Sequence, residues 1–312
     1  MQKVLITGVN GFVGQHLINI LDQYFIIGLT HGGELNDTSN QKFHSGNILD
    51  SHFLEEIINK YKPEYIIHLA AIAPTNFKDA EPIFKINLLG TNNLYQAVIK
   101  HQSNTYNPKI LYISSAEVYG KTDNPENITE DSNLKPLNYY GTSKLAADRL
   151  SFQLSVSHKL NTVIIRPFNH SGPGQGLGFF VPDVCSQIVE IEKNHRDPQI
   201  SVGNLDSIRD ISDVRDIVNG YKLLMENDTD PGEVFNLCSG KGIKMQDLLE
   251  KLLKLSTKDI KITSDPEKIR LSDNPISVGS HSKITTLFGW EPKYNLDQTL
   301  TDALEYWRNK NP

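Results

Sequence analysis

The sequence predicts an α/β protein, a doubly wound parallel sheet followed by a smaller mixed α/β C-terminal lobe. Three observations predict it. Apolar runs of strand length alternate with helical segments through the first half of the chain. The first run feeds directly into closely spaced glycines, Gly8, Gly11 and Gly14. Beyond Arg166-Pro167 the texture changes, because residues 170–178 are too rich in Gly and Pro to form the interior of an element.

The elements follow in order. Strands are expected at residues 4–7, 25–29, 65–69, 109–113 and 163–166, each a short apolar run of the Val-Leu-Ile kind. Helices are expected between them at 14–21, 51–60, 90–101 and 139–157. This alternation is Rossmann-like, and it directs ligands to the carboxyl ends of the strands. The boundary between the two domains is placed after residue 169, so that residues 1–169 bind a dinucleotide and residues 170–312 form mainly a substrate lobe, with some segments returning to the first domain. That lobe reads as a lid, with helices near 181–194 and 245–255 and short strands near Ile200 and Val234. Residues 123–137 read as a surface excursion, and the chain shows no internal repeat or heptad run.

Composition excludes several classes of function. A chain of 312 residues with net charge −6 is not a sequence-independent binder of nucleic acid, so an anionic ligand must be held by a local pocket. Cys185 and Cys238 lack the spacing of a disulfide framework or a zinc site, and no metal is expected. No apolar stretch approaches the roughly 18 residues that span a bilayer, and a cytoplasmic location is expected.

Two patterns carry chemistry. A strand running into a glycine-rich turn and then a helix lets backbone N–H groups approach a pyrophosphate at the positive helix end. The spacing here is GxxGxxG rather than GxGxxG, and glycine turns also serve simply to pack a helix on a strand. The second pattern is Tyr140-Gly141-Thr142-Ser143-Lys144. On a helix, a spacing of four puts the Tyr140 phenol and the Lys144 ammonium on one face. A free phenol, with a pKa of about 10, is a poor acid or base at neutral pH. A neighbouring ammonium and an oxidised nicotinamide would move it towards the working range. At the end of the second strand, Thr30-His31-Gly32-Gly33 holds no acid to bind a ribose 2′-hydroxyl, which favours NADP(H) over NAD(H), although Glu34 could fold back onto a ribose.

Taken together, Gly8-x-x-Gly11-x-x-Gly14, His68-Leu69-Ala70-Ala71, Asn87-x-x-Gly90-Thr91, Ser114-Ser115-Ala116-Glu117-Val118-Tyr119-Gly120 and Tyr140-x-x-x-Lys144 resemble the extended short-chain dehydrogenase/reductases that act on nucleotide sugars. The resemblance covers essentially the whole chain. It implies that Ser115 partners Tyr140 on one sugar oxygen, that Lys144 holds the nicotinamide ribose, and that Glu117 belongs to the catalytic set. It places Gly8, Asn10, Gly11, Phe12, Val13, Gly14, Thr30, His31, Asn47, Ile48, Leu69, Ala70, Ala71, Asn87, Ile113 and Pro167 along the cofactor. Asn47 stands where the family usually has Asp, and it can still accept a hydrogen bond from adenine. His68 and His170 are taken as structural or ligand-lining.

The second lobe, from Arg166-Pro167-Phe168-Asn169-His170 to Gly289-Trp290, resembles that of reductases acting on a GDP-linked 4-keto-6-deoxyhexose. By that resemblance Arg209 and Arg270 grip the diphosphate, Asn169 and Val181 contact the nucleotide sugar, and Asp273 lies near its ribose. Arg209-Asp210 could instead be a surface ion pair. A 4,6-dehydratase of the dTDP-glucose type would carry Asp-Glu where this chain has Ala116-Glu117, so its acid is missing. Glu117 itself fits either a reductase or a GDP-mannose-type dehydratase. The expectation is therefore a 4-ketoreductase, with a 4,6-dehydratase or 4-epimerase holding NAD(P) tightly as the alternative, and a non-catalytic NADP-binding regulator as a third reading. The resemblance also implies a homodimer through a bundle of helices 90–101 and 139–157, to which Leu94, Val98, Leu145 and Leu150 could contribute if they do not serve the core.

Overall fold

Burial on both faces is what a continuous apolar run requires, and the runs of this sequence find it in the middle of a parallel sheet. The structure is a computed structural model describing residues 1–33, 35–73, 79–265 and 274–310. Its first half comprises β1 (Lys3–Thr7), α1 (Phe12–Ile20), β2 (Phe25–Thr30), β3 (Gln41–Ser45), α2 (Ser51–Tyr61), β4 (Tyr65–His68), α3 (Ala80–Phe84), α4 (Thr91–His101), β5 (Lys109–Ile113), α5 (Tyr139–Ser157) and β6 (Thr162–Pro167). A π-helical turn, Lys85–Gly90, joins α3 to α4, and a 3-10 turn, Ala116–Val118, follows β5. The second half adds β7 (Asn169–Ser171), α6 (Phe180–Glu192), β8 (Gln199–Val202), β9 (Ile208–Asp213), α7 (Val214–Glu226), β10 (Val234–Leu237), β11 (Gly242–Lys244), α8 (Met245–Lys254), β12 (Lys261–Ser264), β13 (Ile276–Ser277), α9 (Ser282–Phe288) and α10 (Leu296–Lys310).

The main sheet runs β10-β6-β5-β4-β1-β2-β3, with every neighbouring pair parallel. Its strand order reverses between β1 and β4, the crevice where doubly wound sheets place their ligands. One face is filled by residues of α1 and α7, among them Leu17, Ile217, Tyr221 and Leu224, and the other by residues of α2, α4 and α5, among them Leu54, Ile57, Leu94 and Leu154. A separate core joins α6, α8 and α10 through Cys185, Ile188, Leu248, Leu252, Leu304 and Trp307.

The structure departs from the sequence-based expectations at two strands. Strand β3 is missing from the sequence reading because Gln41-Lys42-Phe43-His44-Ser45 is an edge strand, only half buried, with no apolar run to betray it. The strand at Val234 belongs to the main sheet, with Val234 opposite Ile164 and Leu237 opposite Pro167. The excursion at 123–137 lies at the surface as expected, anchored at one point by Ile128, which is fully buried and whose N–H donates to the Val278 carbonyl at 2.9 Å. Leu94 and Val98 face the core as well, so neither is free for a bundle between subunits.

Candidate active site

Backbone geometry makes the glycine turn what it is. Gly8 sits at φ +70°, and a Cβ there would lie 3.0 Å from the Ala70 nitrogen. A Cβ on Gly14 would lie 2.4 Å from the Val9 carbonyl oxygen. The Gly8 N–H donates to the Leu29 carbonyl at 2.9 Å, and Asn10 Nδ2 donates to the Gly32 carbonyl at 2.9 Å, which ties the turn to the end of β2. No side chain caps α1. Its N-terminus, flanked by exposed Asn10 and Gly11 and half-buried Phe12 and Val13, fits the phosphates of a dinucleotide. Thr30 is buried and its hydroxyl donates to the Gly33 carbonyl at 3.4 Å, whereas His31 is exposed. Glu34 lies outside the described residues.

Further along the crevice, Asn47 Oδ1 accepts from its own turn at the Leu49 N–H, and Ile48 packs where a Cβ on Gly90 would lie 2.6 Å from its Cγ2. Leu69, Ala70 and Ala71 are half buried. Asn87 faces inward: its Oδ1 accepts from the Ile72 N–H at 2.8 Å, and its Nδ2 donates to the Ile72 carbonyl and the Ser143 hydroxyl. Its side chain therefore fixes the loop after β4 and ties it to α5.

His68 explains how that loop and α5 are joined. Thr91 Oγ1 spends its proton on the Asn87 carbonyl at 2.7 Å, so it can only accept from His68 Nε2 at 2.9 Å. His68 Nδ1 then accepts from Thr7 Oγ1 at 2.7 Å, and Thr7 accepts in turn from the Ala70 N–H. The imidazole is neutral with its proton on Nε2. Burial pushes its pKa down to about 3, with Lys144 adding to the effect. From Asn87 the chain continues to Ser143, whose hydroxyl donates to the Tyr140 carbonyl at 2.8 Å. The bland reading of His68 as structural is the one the geometry supports. His170 is similar, with Nδ1 on the Phe168 carbonyl and its ring stacked on Phe12.

The reacting end is built on α5 and the turn after β5. Asn138 caps α5, its Oδ1 accepting from the Gly141 N–H at 2.7 Å, so Tyr140 and Lys144 stand on one helix as their spacing predicts. The Ser115 hydroxyl lies close enough to the Tyr140 phenol to influence its ionisation and accepts from the Glu117 N–H at 3.2 Å. Glu117 Oε2 accepts from Asn138 Nδ2 at 2.8 Å. Lys144 Nζ donates to the Ile113 carbonyl and lies 4.6 Å from the centre of the Tyr112 ring.

The electrostatics of the protein alone differ from the expectation. Burial pushes the Tyr140 phenol up to about 12, the neighbouring Ser115 hydroxyl pulls it back and Glu117 pushes it further up. Burial also drives Lys144 down to about 7, against the pull of the Asp148 carboxylate. Lys144 has turned its ammonium to a carbonyl and an aromatic face, which leaves the phenol protonated at neutral pH.

On the substrate side, Asn169 is exposed on β7, opposite Ile211 of β9, the strand that also carries Arg209. Arg209 Nη1 donates to the Ile208 carbonyl at 2.9 Å. Asp210 is no surface ion-pair partner: it is buried and accepts from the N–H groups of Ser239 and Gly240 and from the Ser239 hydroxyl. Burial holds its carboxyl above the usual range against those bonds. Val181 is buried in the α6 core, and Pro167 is buried at the end of β6. Arg270 and Asp273 lie outside the described residues. Asn138, which the sequence reading missed, was legible as a helix cap preceding a good helical run. Among the described residues no cluster of His, Cys, Asp or Glu could hold a metal ion.

Comparison with known proteins fits this geometry. A family model described as GDP-mannose 4,6 dehydratase matches residues 5–303. The chain belongs to that family of extended short-chain dehydrogenase/reductases. Within the family it is 32% identical over 312 residues to the GDP-6-deoxy-D-mannose reductase of Pseudomonas aeruginosa, covering 99% of this chain and 98% of that one. It is 27% identical to the GDP-6-deoxy-D-talose 4-dehydrogenase of Aggregatibacter actinomycetemcomitans, covering 99% and 98%. The structure of RMD from Pseudomonas aeruginosa complexed with NADPH superposes with a TM-score of 0.85 at 30% identity, covering 99% of this chain and 100% of that one. A UDP-glucose 4-epimerase from Thermotoga maritima, solved with UDP-glucose, gives 0.88 at 26% identity over the whole of both chains. No described helix is long and apolar enough to cross a membrane.

Proposed function

We propose that the protein is an NAD(P)H-dependent 4-ketoreductase that converts a nucleotide-linked 4-keto-6-deoxyhexose, with GDP as the nucleotide, into the corresponding 6-deoxyhexose. The observation that carries the reading is the Ser115, Tyr140 and Lys144 constellation beside an alanine at 116, on a chain 32% identical to a GDP-6-deoxy-D-mannose reductase. When bound, the nicotinamide cofactor supplies the hydride for C4. The turn at Gly8 to Gly14 would hold its phosphates, and Lys144 would hold its nicotinamide ribose. Ser115 and Tyr140 hold the carbonyl oxygen from one side, and Tyr140 passes its proton to that oxygen as the carbonyl becomes an alcohol. A phenol near 12 suits this direction, because it keeps its proton at neutral pH until a more basic alkoxide develops. Donors fixed around that oxygen before the reaction lower the barrier without reorganisation.

NADPH is the preferred reductant on this reading, supported by a second strand that ends in Thr30-His31 without an acid. A homodimer is supported by the exposed apolar side chains of Leu89, ahead of α4, and of Phe152 and Val156 on α5. Two buried free thiols, Cys185 and Cys238, suit a reducing, cytoplasmic setting.

The test is oxidation of NADPH at 340 nm with freshly made GDP-4-keto-6-deoxy-D-mannose, beside dTDP- and UDP-linked analogues and with NADH for comparison. Consumption with one nucleotide establishes the reaction and its base. No consumption with any, together with loss of water from the parent hexose nucleotides without added reductant, would replace this reading by the dehydratase that Glu117 permits.

A further inference from the structure

We infer that Asn138 is a positioning residue for the reaction and that Glu117 serves the chemistry through it, by holding the Asn138 amide rather than by taking a proton from the sugar. The inference deepens the ketoreductase reading and rests on it.

The Asn138 side chain is used at both ends. Its Oδ1 accepts from the Gly141 N–H at 2.7 Å, and its Nδ2 donates to Glu117 Oε2 at 2.8 Å. A backbone N–H only donates and a carboxylate only accepts, so the two partners fix which way the amide points. Serine or aspartate would cap α5 equally well. Serine would have to serve both partners through one hydroxyl on a shorter side chain, and aspartate would set a second negative charge against Glu117. Asparagine gives the helix end and the acid a separate atom each, Oδ1 for the Gly141 N–H and Nδ2 for Glu117.

The same few residues close a circuit. The Glu117 N–H donates to Ser115 Oγ at 3.2 Å, and the Ser115 hydroxyl stands against the Tyr140 phenol. Tyr140 immediately precedes Gly141, whose N–H Asn138 holds. The start of α5 also seats on the turn itself, since a Cβ on Gly141 would come within 2.6 Å of the Glu117 carbonyl oxygen. Ser115 and Tyr140, on different elements, must meet at one substrate oxygen. The Glu117 and Asn138 pair is the side-chain bridge that fixes their separation.

Four variants test this with saturating NADPH: Glu117→Ala, Glu117→Gln, Asn138→Ala and Asn138→Asp. An error of about 1 Å in positioning costs on the order of 100-fold in rate, so Glu117→Ala and both Asn138 variants are expected to lose 10- to 100-fold in kcat, with KM changed far less. Glutamine keeps an oxygen that accepts from Asn138 but is no base, and Glu117→Gln is expected to recover about tenfold over Glu117→Ala. The Glu117→Ala/Asn138→Ala double variant is expected to be no slower than either single one, the sign of a shared pathway.

Equal rates for Glu117→Gln and Glu117→Ala would overturn the inference, because the carboxylate would then be acting by its charge or basicity. So would wild-type kcat in Asn138→Ala. Should the wild-type protein reduce no 4-keto sugar, the ketoreductase reading fails, and the bridge is read instead from hydrogen exchange of the Gly141 amide. Exchange about fivefold faster in Glu117→Ala than in Glu117→Gln supports it, and equal exchange overturns it.

Discussion

Arg166 and Asp148 form a two-pronged pair sealed beneath α5, with Nε on Oδ2 at 2.9 Å and Nη2 on Oδ1 at 3.2 Å. Arg166 is 1% exposed and Asp148 0%. The remaining lone pairs are also used, since Ser114 Oγ donates to Oδ2 at 2.9 Å and Arg149 Nε to Oδ1 at 3.0 Å. Arg166 Nη1 reaches the Tyr119 hydroxyl and the Glu130 carbonyl. Burial pushes the Asp148 carboxyl up, but the two guanidinium partners outweigh it and hold the group below its ordinary range. The pair locks β6 to the helix that carries Tyr140 and Lys144.

Breaking such a pair strands a buried charge. Asp148→Ala is expected to cost about 3–5 kcal/mol in urea unfolding, whereas Asp148→Leu with Arg166→Met should recover much of that loss. A single variant that unfolds at the wild-type midpoint would show that the pair is open to water.

The glycine turn gives a second prediction. Gly14→Ala must force the added methyl against the Val9 carbonyl, 2.4 Å away, and backbone cannot step aside as a side chain can. Overpacking of this kind costs about 1–3 kcal/mol, so the variant should melt earlier and bind NADPH more weakly. Calorimetry and fluorescence titration of the cofactor check both halves. Gly33→Ala makes a useful contrast, because a Cβ there meets nothing closer than Asn10 Nδ2 at 3.6 Å and only its φ of +77° resists the change.

What the sequence made legible follows from where each signal lives. The buried strands announce themselves as Val4-Leu5-Ile6 and Ile110-Leu111, since burial on both faces demands apolar runs. Edge strand β3, at Gln41-Lys42-Phe43-His44-Ser45, carries no such demand and was invisible. The strand at Val234 was seen, but which sheet it joins depends on contacts with Ile164 seventy positions earlier, and no local pattern encodes that. Tyr140 and Lys144 were legible from their spacing of four on one helix. The pKa order was not, because the Lys144 partner at the Ile113 carbonyl lies on another element.

His68 sets an acid limit on the fold. The unfolded chain takes up a proton near the ordinary histidine value, while the folded imidazole resists until about pH 3. Between those values the unfolded state binds more protons, so native stability is lost as pH falls through that window. At about 1.4 kcal/mol per unit, stability should drop by about 2–3 kcal/mol between pH 6.5 and 4.5 from this group alone. The drop should be absent in His68→Asn, when unfolding midpoints are compared at the two values. Nitrogen-15 spectra of the wild type should show a proton on Nε2 and a bare Nδ1 at pH 7, and the opposite tautomer would break the chain from Thr7 to Asn87.

Tyr140→Phe removes the proton donor and leaves the ring. Turnover of the 4-keto sugar should fall by about 100- to 10,000-fold, the usual worth of a positioned general acid, with NADPH binding little changed. Turnover near the wild-type rate would mean that another group protonates C4 oxygen.

Lys144 supplies a pH signature that separates its role from that of Tyr140. In the free protein its pKa is driven down to about 7 by burial, while the phenol stands near 12. If the ammonium is what holds the nicotinamide ribose and steadies the developing charge, its protonated form is the active one. The value of kcat/KM for NADPH, which reports the free protein, should then fall above about pH 7 by roughly tenfold per unit. The phenol would place that limb far higher, so its position identifies the group. Lys144→Arg keeps a charge that does not titrate in this range. That variant should be slower at every pH because a planar fork fits the lysine site badly, yet its profile should be flat where the wild type falls. A wild-type profile level up to pH 9 would show that Lys144 titrates well above 7 or that its charge plays no part in cofactor capture.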